Sequence, residues 1–275
     1  MNPHLEPTAS LPGMIRSLWG NRQLIGRMTR REIVGRYQGS VMGLMWSLLH
    51  PIFMLAIYTF VFSVVFQARW GSHGESKGQF AVVLFAGLIV HTLFAEVLNR
   101  APQLVLSNVN YVKKVVFPLE VLPVVQLLAA TFHAAVSVVV LLLAQWLFNS
   151  AVPWTVLLLP LVALPLQAMA LGLAWILASL GVFVRDVSQT ILLVTSVLLF
   201  LSPVFFPVDA LPAPLQPWMQ LNPLTFIIEQ ARAVLVWGVL PDLQGLLIYF
   251  VAAMFVAWVG FAWFQKTRKG FADVL

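Results

Sequence analysis

Long runs of apolar side chains, separated by short polar stretches, dominate this chain. Six of the runs have close to the ~20 mainly apolar residues that an α-helix needs to cross the ~30 Å hydrocarbon core of a bilayer. We therefore predict an all-α membrane protein with six transmembrane helices, at residues 41–66, 80–98, 119–147, 154–180, 188–205 and 244–264.

Lysine and arginine fall almost entirely on alternate sides of these predicted helices. Of the 16 basic residues, 13 lie in the segments on one side, which are 1–40, 99–118, 181–187 and 265–275. The opposite segments carry only Arg69, Lys77 and Arg232. Because Lys and Arg are retained in cytoplasmic loops, we expect both termini to be cytoplasmic.

The composition agrees with a membrane protein and excludes several kinds of chemistry. With 60% hydrophobic and 9% charged residues, the chain is too apolar for one water-soluble core. The pI of about 10.1 does not indicate nucleic-acid binding, because the basic residues are distributed by membrane sidedness and form no continuous basic surface. The lack of cysteine excludes disulfides and thiolate chemistry, and no cleavable signal peptide is visible.

The first 36 residues divide into two parts. Residues 1–13 hold three prolines and a glycine and are interpreted as a flexible tail. Residues 14–36 mix six arginines with Trp19, leucines and methionines, a composition typical of a helix that lies in the membrane interface. Such a helix serves either as a positive anchor alone or as an ordered interface helix that also contacts a partner.

Two other segments are neither ordinary spans nor ordinary loops. Residues 101–117 are amphipathic, and a short helix lying flat with one face toward another protein fits them best. Residues 203–243 are apolar but broken by seven prolines, so no straight helix can form there. Short helices at 215–221 and 224–237 that dip into the outer leaflet would satisfy this backbone, and a surface loop is the alternative.

The ionisable residues indicate no catalytic or metal site. The sequence has no phosphate-binding loop of the P-loop type, and its five histidines are scattered without metal-ligand spacing. Glu96, Glu120 and Glu229 are expected to pair with Arg100, Lys113 or Arg232, and proton relay is the alternative. Alanines at 170, 174 and 178 favour close helix packing, within one subunit or between two.

Mildly polar and aromatic side chains recur on the first and fifth predicted spans. Ser47, His50 and Met54 share one helical face, and Pro51 frees a backbone carbonyl beside them. Such polar residues either join helices by hydrogen bonds or line a pathway. The aromatic rings belong either to the membrane interface or to a pathway for sugars, whose C–H faces stack on aromatic rings. The candidate pathway residues are Ser47, His50, Met54, Tyr58, Phe62, Thr195, Phe200, Phe205 and Phe206.

One stretch resembles a known family closely. Residues 29–51 read TRREIVGRYQGSVMGLMWSLLHP, and further matching segments are YTFVFS at 58–63, NYVKKVVFPLEVLP at 110–123, FVRDV at 183–187, SPV at 202–204 and NP at 222–223. The pattern is similar to the membrane subunits of bacterial polysaccharide ABC exporters, the ABC-2 type permeases, over about residues 15–270. His50 departs from it, since asparagine is expected before Pro51.

The resemblance implies a homodimer in the bacterial inner membrane, bound to two copies of a separate ATPase that holds ATP and Mg²⁺. It makes 14–36 the interface helix, 37–275 the ABC-2 type transmembrane domain, and 203–243 the gate helices at the outer mouth. Spans one and five would line the channel. Residues 101–117 would be the coupling helix, with contacts to the ATPase from Ser107, Asn108, Asn110, Tyr111, Lys113 and Lys114.

The resemblance thus implies export of a lipid-linked polysaccharide, O-antigen above all, to the periplasm, with no enzyme activity or cofactor in this chain. Within the same class, the alternatives are capsule polysaccharide, teichoic acid, or a small hydrophobic compound such as a drug or haem. A membrane-embedded transferase would need a cluster of Asp, His and Arg, and an ion-coupled carrier would need inverted repeats or more buried charges.

Overall fold

The computed structural model describes residues 9–65, 77–113, 117–149 and 151–275, and the regular structure in these ranges is entirely helical. The all-α fold class is thereby confirmed. The helices are α1 Leu11–Gly20, α2 Arg22–Gly35, α3 Trp46–Tyr58, α4 Lys77–Arg100, α5 Val109–Lys113, α6 Val121–Asn149, α7 Leu159–Phe183, α8 Val187–Phe200, α9 Gln216–Gln220, α10 Pro223–Arg232, α11 Leu243–Thr267 and α12 Phe271–Val274.

Five helical stretches in the described ranges are long and apolar enough to cross a membrane, so the chain is a multi-pass membrane protein. They are Gly43–Phe62, Gln79–Gln103, Val121–Phe148, Trp154–Phe183 and Leu243–Val274. The remaining predicted span, 188–205, corresponds to α8, which has 14 residues and is therefore about 21 Å long. This helix ends at Phe200 because Pro203 disfavours helical geometry at the residue before it.

The N-terminal region forms two helices where one was predicted. α1 already begins at Leu11, because Ser10 caps it by accepting a hydrogen bond from the Gly13 amide at 3.2 Å. The helix is interrupted at Asn21, whose side-chain amide donates to the Ser17 carbonyl at 2.8 Å. Residues 11–13, assigned to the tail, are thus helical, and residues 1–8 lie outside the described ranges.

The described residues 101–113 of the segment 101–117 form a series of turns and one short helix, where a single flat helix was predicted. Two 3₁₀ turns, Ala101–Gln103 and Leu106–Asn108, precede the short helix α5. Ala101, Pro102 and Val105 are buried, so the segment is fixed to the body of the protein. Its Pro102 carbonyl lies 2.2 Å from where a Cβ on Gly181 would be, which leaves room for glycine only.

α7 and α11 cross in close contact near their midpoints. A Cβ on Gly260 would lie 2.1 Å from the Gly172 carbonyl oxygen, so both helices need glycine at this crossing. Ala170, Ala174 and Ala178 of α7 are fully buried in the same subunit. The small residues of this helix therefore pack within one chain.

The proline-rich segment 203–243 contains a 3₁₀ turn at Val208–Ala210, then α9 and α10, then a π-helical turn at Ala233–Trp237. α9 falls within the predicted short helix 215–221, α10 and the π-helical turn together cover 223–237 against the predicted 224–237, and the turn at Val208–Ala210 was not predicted. The long helices differ in how much of each is buried within the chain. Of the most apolar part of α4, 89% is buried in the chain, whereas the corresponding part of the stretch containing α3 is 11% buried.

Candidate functional site

One face of α3 lines a cavity of about 610 Å³ that lies against α4 and α6. Ser47, His50, Met54 and Tyr58 all contribute to its wall. Their spacing of three or four residues places them on one side of the helix, which is why they share this wall. The residues on the opposite faces, such as Phe53, are exposed.

Polar side chains cluster in part of this cavity. Arg36, in the turn after α2, forms an ion pair with Glu96 of α4, with 2.6 Å between Nη1 and Oε1. Tyr37 contacts His133 of α6, with 3.4 Å between its hydroxyl and Nδ1 and the rings edge to face. Burial raises the pKa of the Tyr37 hydroxyl, so this phenol stays protonated and available for hydrogen bonds.

A buried hydrogen-bond network joins α4 to α8 beside the cavity. Thr195 donates its hydroxyl to Asn99 Oδ1 at 2.9 Å, and its backbone carbonyl accepts from His91 Nε2 at 3.0 Å. His91 and Asn99 line the cavity, whereas Thr195 is buried behind them. Thr195 therefore holds α8 in place, although the sequence suggested it for the pathway wall.

The predicted aromatic residues form a cluster that continues from Tyr58 away from the cavity. Phe62 lies 6.2 Å from Tyr58 and 5.6 Å from Phe205, measured between ring centroids. Phe205 in turn stacks on Phe200 at 5.8 Å. Phe206 is half-buried next to this cluster in the chain. Aromatic rings from α3, α8 and the turn after α8 thus form one surface.

The residues suggested for contact with an ATPase differ in exposure. Ser107 and Asn110 are exposed. Asn108 donates its side-chain amide to the Leu104 carbonyl at 2.8 Å, and the Tyr111 hydroxyl accepts from Arg31 at 3.3 Å. The Lys113 side chain and Lys114 lie outside the described residues.

Of the three carboxylates, Glu229 interacts electrostatically with Arg232, one of the partners expected, whereas the other two form ion pairs with partners that were not expected. Glu96 pairs with Arg36, and Glu120 pairs with Arg268 at 3.0 Å. Arg100, the expected partner, instead binds Glu32 at 2.8 Å. Sequence analysis missed Arg36, Tyr37 and His133 as cavity residues, because the turn after α2 and the helix α6 are far apart in sequence and no spacing connects them. Within the part of the chain that the structure describes, no three His, Asp or Glu side chains could hold a metal ion.

These features define a helical membrane protein with a cavity between its spans, mainly apolar and with polar side chains clustered in one part of its wall. Residues 23–236 match the family of ABC-2 type transporters, and the chain belongs to this family. The O-antigen export system permease protein RfbA of Myxococcus xanthus is 24% identical over 262 residues, which cover 94% of this chain and 98% of that protein. Two proteins of the same name from Klebsiella pneumoniae are 24% and 25% identical over 250 residues, covering 90% of this chain and 93% of each.

Proposed function

We propose that this chain is the channel-forming subunit of an ATP-driven exporter in the bacterial inner membrane. Its substrate is a lipid-linked polysaccharide, O-antigen in particular, which it moves from cytoplasm to periplasm. The relatives named for O-antigen export support this substrate, since they align over nearly their whole length. The observation that carries the proposal is the cavity along α3, whose wall combines a hydroxyl, imidazoles and an aromatic ring.

The chemistry of this wall suits a polymer that must keep moving. Tight binding of any one sugar would stall the chain, so each contact has to be weak. Ring stacking is worth about 1–3 kcal/mol for nucleic-acid bases, and a sugar on Tyr58 would gain no more than the lower end of that range. The charged groups of the cavity, Arg36 and Glu96, neutralise each other and leave no strong ionic trap.

We further propose that two copies of the chain form the channel with α3 at their interface. The stretch Gly43–Phe62 is 11% buried in one subunit and exposes Ile52, Phe53 and Ile57. A second copy would cover part of this apolar surface and close the cavity from the lipid. Energy comes from two copies of a separate ATPase, because the sequence has no phosphate-binding loop.

Cysteine labelling of α3 tests the pathway. The chain has no native cysteine, so single substitutions give a clean background. We expect Ser47→Cys, His50→Cys and Tyr58→Cys to react with a membrane-impermeant thiol reagent. Bulky labels at these positions should also reduce surface glycan display, because they obstruct the path.

Phe53→Cys and Ile57→Cys are the matched controls. They lie on the same helix at similar depth but do not line the cavity, so we expect them to stay unlabelled. Absence of labelling at positions 47, 50 and 58 in every nucleotide state would show that this face is buried packing and would refute the pathway. Normal glycan display after complete labelling would show that the glycan does not pass along this face of α3.

A further inference from the structure

The turn 201–206, which follows α8 and includes the first residues of the proline-rich segment, is held by Asn222 at the start of α10. The Asn222 side-chain amide donates to the Leu201 carbonyl at 3.0 Å and to the Ser202 hydroxyl at 2.8 Å. Its side-chain oxygen also accepts from the Leu224 amide at 2.9 Å and caps α10. One side chain therefore both starts α10 and fixes the beginning of the turn.

Arg232, at the other end of α10, holds the same turn at a second point. Its Nη2 donates to the Val204 carbonyl at 2.9 Å, and its Nε donates to the Val83 carbonyl of α4 at 3.1 Å. The residue is 4% exposed. A buried guanidinium is costly unless it is hydrogen-bonded, and its rigid fork suits two acceptors on different elements.

Gly87 of α4 provides the space for this guanidinium. A Cβ at position 87 would lie 2.9 Å from Arg232 Nη2 and 3.4 Å from the Val204 Cα. A larger residue would therefore displace the arginine or the turn, although Gly87 itself makes no polar contact in this arrangement.

The turn held in this way carries Phe205. The Phe205 ring stacks on Phe62 at the end of the α3 stretch, with 5.6 Å between centroids and 20° between planes. Any displacement of the turn moves Phe205 relative to α3. The position of this aromatic contact thus depends on α10 through Asn222 and Arg232.

We infer that Asn222 and Arg232 are positioning residues that hold Phe205 against Phe62 and so keep one end of the pathway closed between transport cycles. This inference rests on the proposed function only in assigning a pathway to the cavity and the aromatic cluster. A passing polymer has to separate the two rings, and the hydrogen bonds of Arg232 and Asn222 then return the turn to its closed position.

Cross-linking tests the positioning directly. Phe62→Cys and Phe205→Cys are combined in the full complex in native membranes, and the rate of coupling by a short bis-maleimide is measured without nucleotide. We expect Gly87→Ala, Arg232→Lys and Asn222→Ala each to slow this coupling by about tenfold, because each weakens a charged or buried hydrogen bond that holds the turn. Gly26→Ala is the matched control, since nothing lies within 4 Å of a Cβ at this helical position.

A double variant shows whether Gly87 acts through Arg232. Adding Gly87→Ala to Arg232→Lys should slow coupling no further than Arg232→Lys alone, because both changes remove the same contact. Coupling at the control rate in Gly87→Ala would overturn the inference. Gly87→Ala keeps every hydrogen-bonding side chain, so this result decides the matter even if Arg232→Lys fails to accumulate.

Glycan display measured in the same cells separates this inference from the proposed function. If the coupling rate depends on Gly87 and Arg232 but cross-linked cells display normal glycan, the positioning role is supported and the pathway lies elsewhere. If cross-linking stops glycan display but the coupling rate is unchanged by substitution of Gly87 and Arg232, the proposed pathway is supported and the positioning role is wrong.

Discussion

At the scale of single residues, Glu120 joins parts of the chain that are far apart in sequence. Its carboxylate accepts from Ser17 of α1 at 2.8 Å and from Arg268, just after α11, at 3.0 Å. Its backbone carbonyl accepts from the Trp175 indole of α7 at 3.0 Å. The residue is 5% exposed, so these bonds form largely away from water.

Glu120→Gln should destabilise the protein by about 1–3 kcal/mol, because a buried charge-assisted bond is lost and the Arg268 guanidinium keeps a weaker acceptor. The measurement is the thermal unfolding midpoint of the purified protein in detergent. Arg268→Gln should lower the midpoint similarly, and the double variant should be little worse than either single one.

Lys266→Gln is the matched control, since this exposed lysine lies on the same helix end and its substitution changes the net charge by the same amount as Arg268→Gln. A midpoint for Glu120→Gln equal to that of the parent protein would mean that the ion pair adds nothing to stability.

Sequence reasoning works at this scale when the residues share one helix. The grouping of Ser47, His50 and Met54 follows from the helical period alone, and the structure places all of them in one wall. Ion pairs could not be assigned in the same way. Glu120 and Arg268 come from distant parts of the chain, and only the packing of several helices brings them together.

At the scale of elements, hydropathy predicts where a helix lies better than where it ends. The apolar run 188–205 extends past the last residue of α8, because apolar character continues where Pro203 stops the backbone. The amphipathic pattern likewise predicts a single helix over segment 101–117. Its alternating apolar residues are real, but Pro102 and the burial of Val105 impose tight turns.

The proposed contact with the ATPase is tested best at the exposed positions of this segment. Ser107→Trp and Asn110→Trp should each reduce co-purification of the ATPase severalfold, because a bulky ring at an interface of this kind prevents close approach. Neither change should affect membrane insertion, since both side chains point away from the protein body.

Gln23→Trp serves as the control, an equally bulky change at an exposed position of α2. Normal recovery of the ATPase with both Ser107→Trp and Asn110→Trp would count against docking through residues 101–117. Asn108 and Tyr111 are poorer probes, because their side chains already bond to Leu104 and Arg31 within the chain.

At the scale of the whole molecule, the 13-to-3 distribution of basic residues predicts cytoplasmic termini. A reporter that is active only in the cytoplasm should work when fused after Leu275 or inserted at residues 107–110. It should be silent when inserted at 71–78, of which residues 71–76 lie outside the described ranges, or at 149–152.

Activity at either of the last two insertion sites would break the topology with six spans. The fusion after Leu275 tests whether the short helix α8 passes through the membrane, because the C-terminus lies on the cytoplasmic side only if α8 is one of six spans. A silent reporter after Leu275 would mean that α8 does not cross.

The low burial of the α3 stretch has a mechanical consequence. Few contacts in the subunit resist its displacement, whereas α4 behind it is almost completely enclosed. Gly39 and Gly43, just before α3, have φ values of 86° and 51°, a backbone region that glycine enters without strain. A π-helical turn at Thr59–Val65 follows α3 on its other side. We therefore expect the width of the cavity to change through movement of α3 against α4 and α6, with the glycines before α3 and the π-helical turn after it acting as hinges.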